Sequence, residues 1–239
     1  MGRKVELSKR MQAVADMVTP GNRVCDVGCD HGYVSIYLVQ EGIAPKVLAM
    51  DVNKGPLMRA GEHVKRYEAE DYIELRLSDG LTAYRIGEAD TLLCAGMGGR
   101  LMMDILDREP DKTKDFGELI LQPQSDVKLF RKYLREKGYI IQKETMILEE
   151  GKYYPMMKVV LSGKVADETK DYELEDLLGP LLLKELNPVL LQYIQQEMKV
   201  KEGIIMSLTE SQNEGKVQQR KQELKKELAL LKRAAKMYD

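Results

Sequence analysis

Val24-Cys25-Asp26-Val27-Gly28-Cys29-Asp30-His31-Gly32-Tyr33 is a short apolar run that ends in an acidic, glycine-punctuated turn and then opens into a helical pattern. It reads as the first strand, loop and helix of a nucleotide-type binding site, where glycine lets backbone approach a ligand and the helix N-terminus offers unpaired N–H groups. A dinucleotide fingerprint requires G-x-G-x-x-G, but Asp30 stands at the second glycine position and the next glycine is Gly32, so the phosphate-cradling form is broken. A carboxylate at that point repels a pyrophosphate and tolerates a cation. S-adenosylmethionine carries a sulfonium and an ammonium beside its adenosine, and the loop favours that methyl donor over NAD. Taken alone, the loop is also compatible with an ordinary strand-to-helix turn.

The next strand-like run, Lys46-Val47-Leu48-Ala49-Met50, ends in Asp51, at the offset where an acid accepts ribose hydroxyls in either cofactor class. On the N-terminal side, Leu7, Met11, Val14 and Val18 form a stripe at helical spacing, stopped by Thr19-Pro20-Gly21. Downstream, the pattern predicts a helix that starts at Val34 and ends near Gly42, and another over Pro56–Ala69. Ile73–Leu77 alternates as a half-buried strand and ends in Ser78-Asp79-Gly80. Thr91–Ala95 is a fourth strand, followed by Gly96-Met97-Gly98-Gly99 and a helix bearing Leu101, Ile105 and Leu106; Glu118–Leu121 is a fifth, closed by Gln122-Pro123-Gln124-Ser125, with Ser125 the expected N-cap of the next helix. Tyr139–Leu148 and Tyr153–Leu161 flank Glu149-Glu150-Gly151-Lys152 as a hairpin. Strands alternating with helices, then a hairpin, imply an α/β fold: a Rossmann-like, doubly wound, mostly parallel seven-stranded sheet with an antiparallel edge.

Beyond Gly163 the pattern becomes polar and linker-like over Lys164–Tyr172, then helical only. Pro188–Leu208 carries Leu191, Ile194, Met198, Ile205 and Leu208 on one face, and Val217, Leu224 and Leu231 recur every seven residues with Leu228 and Ala235 between them. A C-terminal coiled-coil hairpin turning near Gln212–Gly215 is expected, giving domains of residues 1–163 and 164–239. Its Gln212–Asp239 stretch has a net charge of +4 against −6 for the rest of the chain. Lys221, Lys225 and Lys232 on that arm are candidate contacts to an anionic partner; a structural cap with a solvated basic face explains the same charges.

Composition sets the bounds. The 239 residues are 44% hydrophobic and 32% charged with a net charge of −2, which argues against indiscriminate nucleic-acid binding. Cys25, Cys29 and Cys94 lack C-x-x-C spacing, so buried free thiols in a reducing cytoplasm are expected rather than disulfides or zinc. His31 and His63 are the only histidines, and no metal is expected. The start has no apolar signal core and no run approaches the roughly 18 apolar residues of a membrane span, so no membrane association is expected.

Taken together, Asp26–Gly32, Asp51-Val52-Asn53, Ser78-Asp79-Gly80, Ala95–Gly99 and Gln122–Ser125 resemble the motifs of the bacterial tRNA (adenine-22 N1)-methyltransferases, a class I S-adenosylmethionine-dependent family whose members also end in a helical coiled-coil region. The resemblance implies that Asp26, Gly28, Cys29, Asp30, His31, Asp51, Val52, Asn53, Ser78, Asp79, Gly80, Gly96 and Met97 bind the methyl donor, with Asp79 on the adenine amine. It places Gly98, Gly99, Gln122 and Pro123 on the RNA side. Two departures from the wider class stand out: a glycine is usual where Asp30 stands, and Gly96-Met97-Gly98-Gly99 replaces the Asn/Asp-Pro-Pro-aromatic motif of enzymes that methylate exocyclic amines.

The implied chemistry asks little of side chains. Adenine N1 is a neutral nucleophile and the sulfonium an activated donor, so collinear approach and exclusion of water suffice. Methylation makes the ring cationic, so a carboxylate can stabilise it or take a proton from the amine. Asp30 is the first candidate and His31 the second; a contact to the donor's ammonium or a helix cap is the competing role for Asp30, and loop packing for His31. N1 lies on the Watson–Crick edge, so the base must be unpaired or flipped and held by stacking. With no Trp and only Phe116 and Phe130, Tyr33, Tyr153 and Tyr154 are the candidate platforms. The expected partner is tRNA, with a monomeric enzyme. The rival readings are an NAD-dependent oxidoreductase, disfavoured by Asp30, and a non-catalytic nucleotide-binding module for RNA or protein.

Overall fold

The computed structural model describes residues 4–163, 167, 169–208 and 214–239. The chain divides into two compact units, Met1–Thr169 and Lys170–Asp239. Part of the expected linker, including the residue after the 163/164 boundary, and Gln212 and Asn213 of the expected turn lie outside the described residues; Glu214 and Gly215 begin the last helix rather than a turn.

The first unit runs α1 (Lys9–Ala15), β1 (Val24–Val27), α2 (Tyr33–Gln40), β2 (Val47–Asp51), α3 (Lys54–Arg66), β3 (Ile73–Leu77), β4 (Thr91–Met97), α4 (Gly99–Arg108), α5 (Pro110–Asp115), β5 (Glu118–Pro123), α6 (Val127–Glu136), β6 (Tyr139–Glu149) and β7 (Lys152–Leu161). The seven strands form one sheet in the order β3-β2-β1-β4-β5-β7-β6. The first five are parallel, and the β6–β7 hairpin folds back so that β7 pairs antiparallel with β5.

Alternation along the strands builds the two cores. Val47 and Ala49 of β2 pack with Val14, Ile36, Ala60 and Val64 on the α1–α3 side. Leu48 and Met50, their neighbours in sequence, pack with Met102, Ile105, Phe130 and Leu134 on the α4–α6 side, because successive side chains of a strand point to opposite faces. A sheet covered on both faces explains the near-continuous apolar runs of β1, β2, β4 and β5. Chain order reverses between β1 and β4, so a crevice opens at their carboxyl ends. A buried ion pair, Arg131 Nε to Glu144 Oε1 at 2.8 Å, links α6 to β6.

One short helix, α5, with Pro110 at its first turn, escapes the sequence pattern; in the second unit α7 (Glu173–Leu178) and α8 (Pro180–Lys184) fall in the stretch after Tyr172 expected to be helical only, which carried no bounds for them. Ser125 does not cap α6. Asp126, in the left-handed region at φ 52°, precedes the helix instead, and the Ser125 hydroxyl donates to Asp126 Oδ2 at 3.0 Å.

In the second unit α9 (Pro188–Ser207) and α10 (Glu214–Ala235) pack against each other. Asn187 caps α9, its Oδ1 accepting from the Val189 and Leu190 N–H groups. Leu190, Ile194, Leu224, Leu231 and Ala234 are buried; Val217 and Leu228 of the expected seam are half-buried, and Ala234 rather than Ala235 closes it. Lys201 joins the helices through Glu227 at 2.8 Å, as does Lys232 through Glu202 at 2.9 Å.

Candidate active site

The crevice at the carboxyl ends of β1, β2 and β4 is a cleft of about 520 Å³. Of the expected donor-site residues, Asp26, Gly28, Cys29, Asp30, Asp51, Val52, Asn53, Ser78, Asp79, Gly80, Gly96 and Met97 all line it. Sequence spacing locates them because each sits at the end of a strand, where parallel neighbours stop together.

The β1–α2 loop is bent by Gly28 at φ 77°, Asp30 at φ 47° and Gly32 at φ 73°. A Cβ on Gly28 would lie 3.3 Å from the Met97 side chain, so glycine keeps the cleft open there. Asp30 is a non-glycine residue in left-handed backbone, a conformation L residues hold at a cost. Its N–H donates to Asp51 Oδ2 at 3.3 Å, which ties the loop to the end of β2, and Asp51 Oδ1 accepts from the Asn53 N–H at 2.8 Å. The Asp30 side chain is 64% exposed and 3.6 Å from His31 Nε2.

Asp26 is buried, and its Oδ2 accepts a hydrogen bond from Ser35 Oγ at 2.6 Å. Burial raises its pKa from 3.8 to about 6, the neighbouring Asp51 charge adds to the rise, and the Ser35 hydroxyl opposes it. A buried acid in a ligand cleft without a cationic partner among the described residues suits a ligand that brings a positive charge. Val52 and Leu101, 58% and 46% exposed, border the same cleft and offer apolar surface to a flat ring. The three thiols are buried and free, and burial pushes each pKa upward, so none is a ready nucleophile.

Other expected residues are placed differently. His31 and Tyr33 do not line the cleft. The His31 carbonyl accepts from His63 Nδ1 at 2.9 Å, which fixes the tautomer so that His63 Nε2 accepts from the Tyr33 hydroxyl at 3.3 Å. Tyr33 stacks on His63 with centroids 4.6 Å apart, a local packing reason for all three. Asp79 lines the rim, but its Oδ2 accepts from Arg108 Nη1 at 2.5 Å. Gly98 and Gly99 belong to the start of α4: a Cβ on Gly99 would fall 2.6 Å from the Ser125 carbonyl oxygen, so close packing accounts for glycine there. Pro123 pairs with Met97 across a bulge at Gly96. Tyr153 sits on β7 opposite Leu148, and Tyr154 lies beneath the Arg10 guanidinium, 5.2 Å from its ring centre.

Gln122 is the clearest revision. It is 0% exposed, its Oε1 accepts from Arg10 Nη1 at 2.9 Å and from the Gly96 N–H at 3.2 Å, and its Nε2 donates to the Pro123 carbonyl at 3.2 Å. Three of the four hydrogen-bonding positions of its amide are thus taken within the protein, and its oxygen aims Arg10. Arg10, Met11 and Val14 of α1 form a wall of the cleft that sequence reasoning missed, with Gln124, Leu101 and Ile105. The apolar stripe through Met11 and Val14 was visible; Arg10, one turn before Val14, shares that face.

On the second unit, Lys225 is exposed and Lys221 half-buried, while Lys232 is committed to Glu202. Among the described residues, no helix is long and apolar enough to cross a membrane.

Comparison with known proteins agrees with this geometry. A family model described as a methyltransferase domain matches residues 7–157. The tRNA (adenine(22)-N(1))-methyltransferase of Bacillus subtilis strain 168 is 32% identical over 234 residues, 96% of this chain and 97% of the relative. The crystal structure of the B. subtilis M1A22 tRNA methyltransferase TrmK superposes with a TM-score of 0.85 at 31% identity, over 97% of this chain and all of that one. M. capricolum TrmK, solved in complex with S-adenosyl-homocysteine, superposes with a TM-score of 0.76 at 25% identity, over 94% and 99% of the two chains. An acid-lined cleft at the switch point, on a chain alike to these enzymes along nearly its full length, leads to one conclusion: the protein belongs to the tRNA (adenine-22 N1)-methyltransferase family of class I S-adenosylmethionine-dependent enzymes.

Proposed function

We propose that this enzyme transfers a methyl group from S-adenosylmethionine to N1 of adenine 22 in tRNA. The observation that carries the reading is the acid-lined cleft at the β1/β4 switch point, in a chain 32% identical along its length to the B. subtilis enzyme. The cleft fits the donor: Asp26 is a buried carboxylate suited to an ammonium, Asp51 stands at the end of β2 for ribose hydroxyls, and Val52 and Leu101 offer apolar surface to adenine. The donor supplies an electrophilic methyl on a sulfonium.

The chain's own residues bind and orient. Asp51 holds the β1–α2 loop through the Asp30 N–H and keeps a lone pair on each carboxylate oxygen for the ribose. Asp79, turned by Arg108, has Oδ1 left for the adenine amine. Asp30 stands at the cleft with its carboxylate exposed. In that place it stabilises the positive charge that N1-methylation leaves on the base, or accepts the proton from the exocyclic amine. Strained backbone beneath an acid at a ligand cleft supports a functional reason for keeping it. His31, whose Nε2 lies 3.6 Å from that carboxylate, is the second candidate for the same role. On α10, Lys221 and Lys225 are proposed contacts to tRNA phosphates. The buried free thiols suit a reducing cytoplasm, and the reading is of a monomer acting on tRNA.

Nucleoside mass spectrometry of tRNA incubated with the enzyme and donor tests the reading. N1-methyladenosine at position 22, lost when that adenine is replaced by guanine, is expected. Its absence, or its appearance elsewhere, overturns the assignment.

A further inference from the structure

Arg10, on the cleft wall, is its one basic residue among the described residues. We propose that Arg10, aimed by Gln122, grips the phosphodiester flanking the target adenosine and draws that nucleotide into an otherwise acidic cleft. The inference rests on the function proposed above and adds the group that admits the RNA.

Arg10 is built into position from three sides. Nη1 donates to the buried Oε1 of Gln122 at 2.9 Å, the guanidinium lies on the Tyr154 ring at 5.2 Å, and its backbone N–H donates to Glu149 Oε1 at 3.3 Å. Among the described residues Nη1 carries the guanidinium's only hydrogen bond, so the rest of its five N–H donors are free to meet a ligand. Nη1 also comes within 3.6 Å of the point where a Cβ on Gly96 would lie, as does Gln124 Nε2. Two donors thus converge over a glycine whose bulge opens the end of β4.

Charge decides what they hold. Asp26, Asp30, Asp51 and Asp79 line the cleft, and Arg10 is the one basic residue among the described residues that do. A nucleotide brings a phosphate, which the carboxylates of Asp26, Asp30 and Asp51 repel, Asp79 being paired with Arg108; the guanidinium of Arg10 at the wall offsets that repulsion. The base edge is a poor partner for Arg10, because the reaction makes the ring cationic and a guanidinium against it would oppose the transition state. A phosphate stays anionic throughout, and the planar fork of arginine matches its oxygens. Gln122, conversely, is a positioning residue: it never meets the RNA.

The test is kinetic. With tRNA as substrate, Arg10→Gln should raise KM by about 10- to 150-fold, the range of a charge-assisted hydrogen bond, and lower the log–log salt slope of binding by about 0.7 for one contact to unpaired RNA. The saturated rate and the donor affinity should stay within about threefold. Arg10→Lys should keep the salt slope while raising KM in part. A single methylphosphonate linkage beside adenosine 22 should cost the wild-type enzyme the same factor and cost Arg10→Gln nothing more. If Arg10→Gln lowers the saturated rate with KM and salt slope unchanged, or if the neutral linkage and the substitution add independently, Arg10 does not hold a phosphate. Should the glutamine variant lose its fold by thermal melting, the lysine variant and the neutral linkage on wild-type enzyme decide the matter alone. Wild-type enzyme that makes no N1-methyladenosine at all refutes the function instead; wild-type activity with indifferent Arg10 variants refutes this inference only.

Discussion

Asp26→Asn is expected to stabilise the donor-free protein above pH 6 and to weaken the donor. The folded-state pKa of Asp26 is about 6 against 3.8, and at about 1.4 kcal/mol per pH unit the burial of its charge costs about 3 kcal/mol. The sign follows from the raised value. Below about pH 4 the carboxyl is protonated in both folded and unfolded chains and carries no penalty. As pH rises toward 6 the unfolded chain ionises first, and folding loses stability until the buried group ionises too; above that the loss is constant. Asparagine does not titrate, and its side-chain oxygen can still accept from Ser35 Oγ, now 2.6 Å from Asp26 Oδ2. Urea unfolding followed by circular dichroism should therefore show the variant gaining on wild type by up to about 3 kcal/mol between pH 4 and 6, with no further change to pH 8. In calorimetry, wild-type donor affinity should fall by up to about tenfold per pH unit below 6, as the partner of the ammonium is protonated. A stability difference that is flat from pH 4 to 8 would refute the argument, since it would mean that Asp26 ionises as it does in the unfolded chain.

Asp51→Ala should weaken donor binding by about 10- to 150-fold, because contacts to an ionised acceptor are worth about 1.5–3 kcal/mol; unchanged affinity in calorimetry removes Asp51 from the ribose. Asp30→Asn keeps the size and loses the charge, so turnover should fall at least about tenfold with donor affinity little altered. A loss of affinity without a loss of saturated rate would make Asp30 an ammonium contact. On the arm, Lys221→Glu with Lys225→Glu leaves the Lys232–Glu202 bridge intact and should reduce the salt slope of tRNA binding by about 1.4–1.8. An unaltered affinity and slope in a folded, donor-binding variant would make α10 a structural cap.

The chemistry at the strand ends was legible along the chain because it is local. An apolar run must stop where the sheet stops, and the residues just past the stop, Asp26 through Asp30, Asp51 to Asn53 and Ser78 to Gly80, fall into the cleft wherever parallel strands end level. Broken glycine spacing at Asp30 likewise distinguished one ligand class from another by charge alone. Helices of five or six residues contain too few turns to display a period, so α5 passed unseen and the bounds of α7 and α8, within a stretch read only as helical, could not be drawn.

Contacts across long sequence separations belonged to the tertiary structure. Gln122 was placed on the RNA side by the family resemblance, yet its oxygen meets Arg10, 112 positions earlier in the chain, and no local pattern records that a buried amide will be engaged from within. Tyr154 read as a stacking platform, and the fold placed a guanidinium on it. Gly99, adjacent to the ligand motif, is glycine because the Ser125 carbonyl comes too close for a Cβ. In each case the residue type is dictated by a neighbour that only chain packing brings near, whereas the donor-site residues are dictated by where their own strand ends.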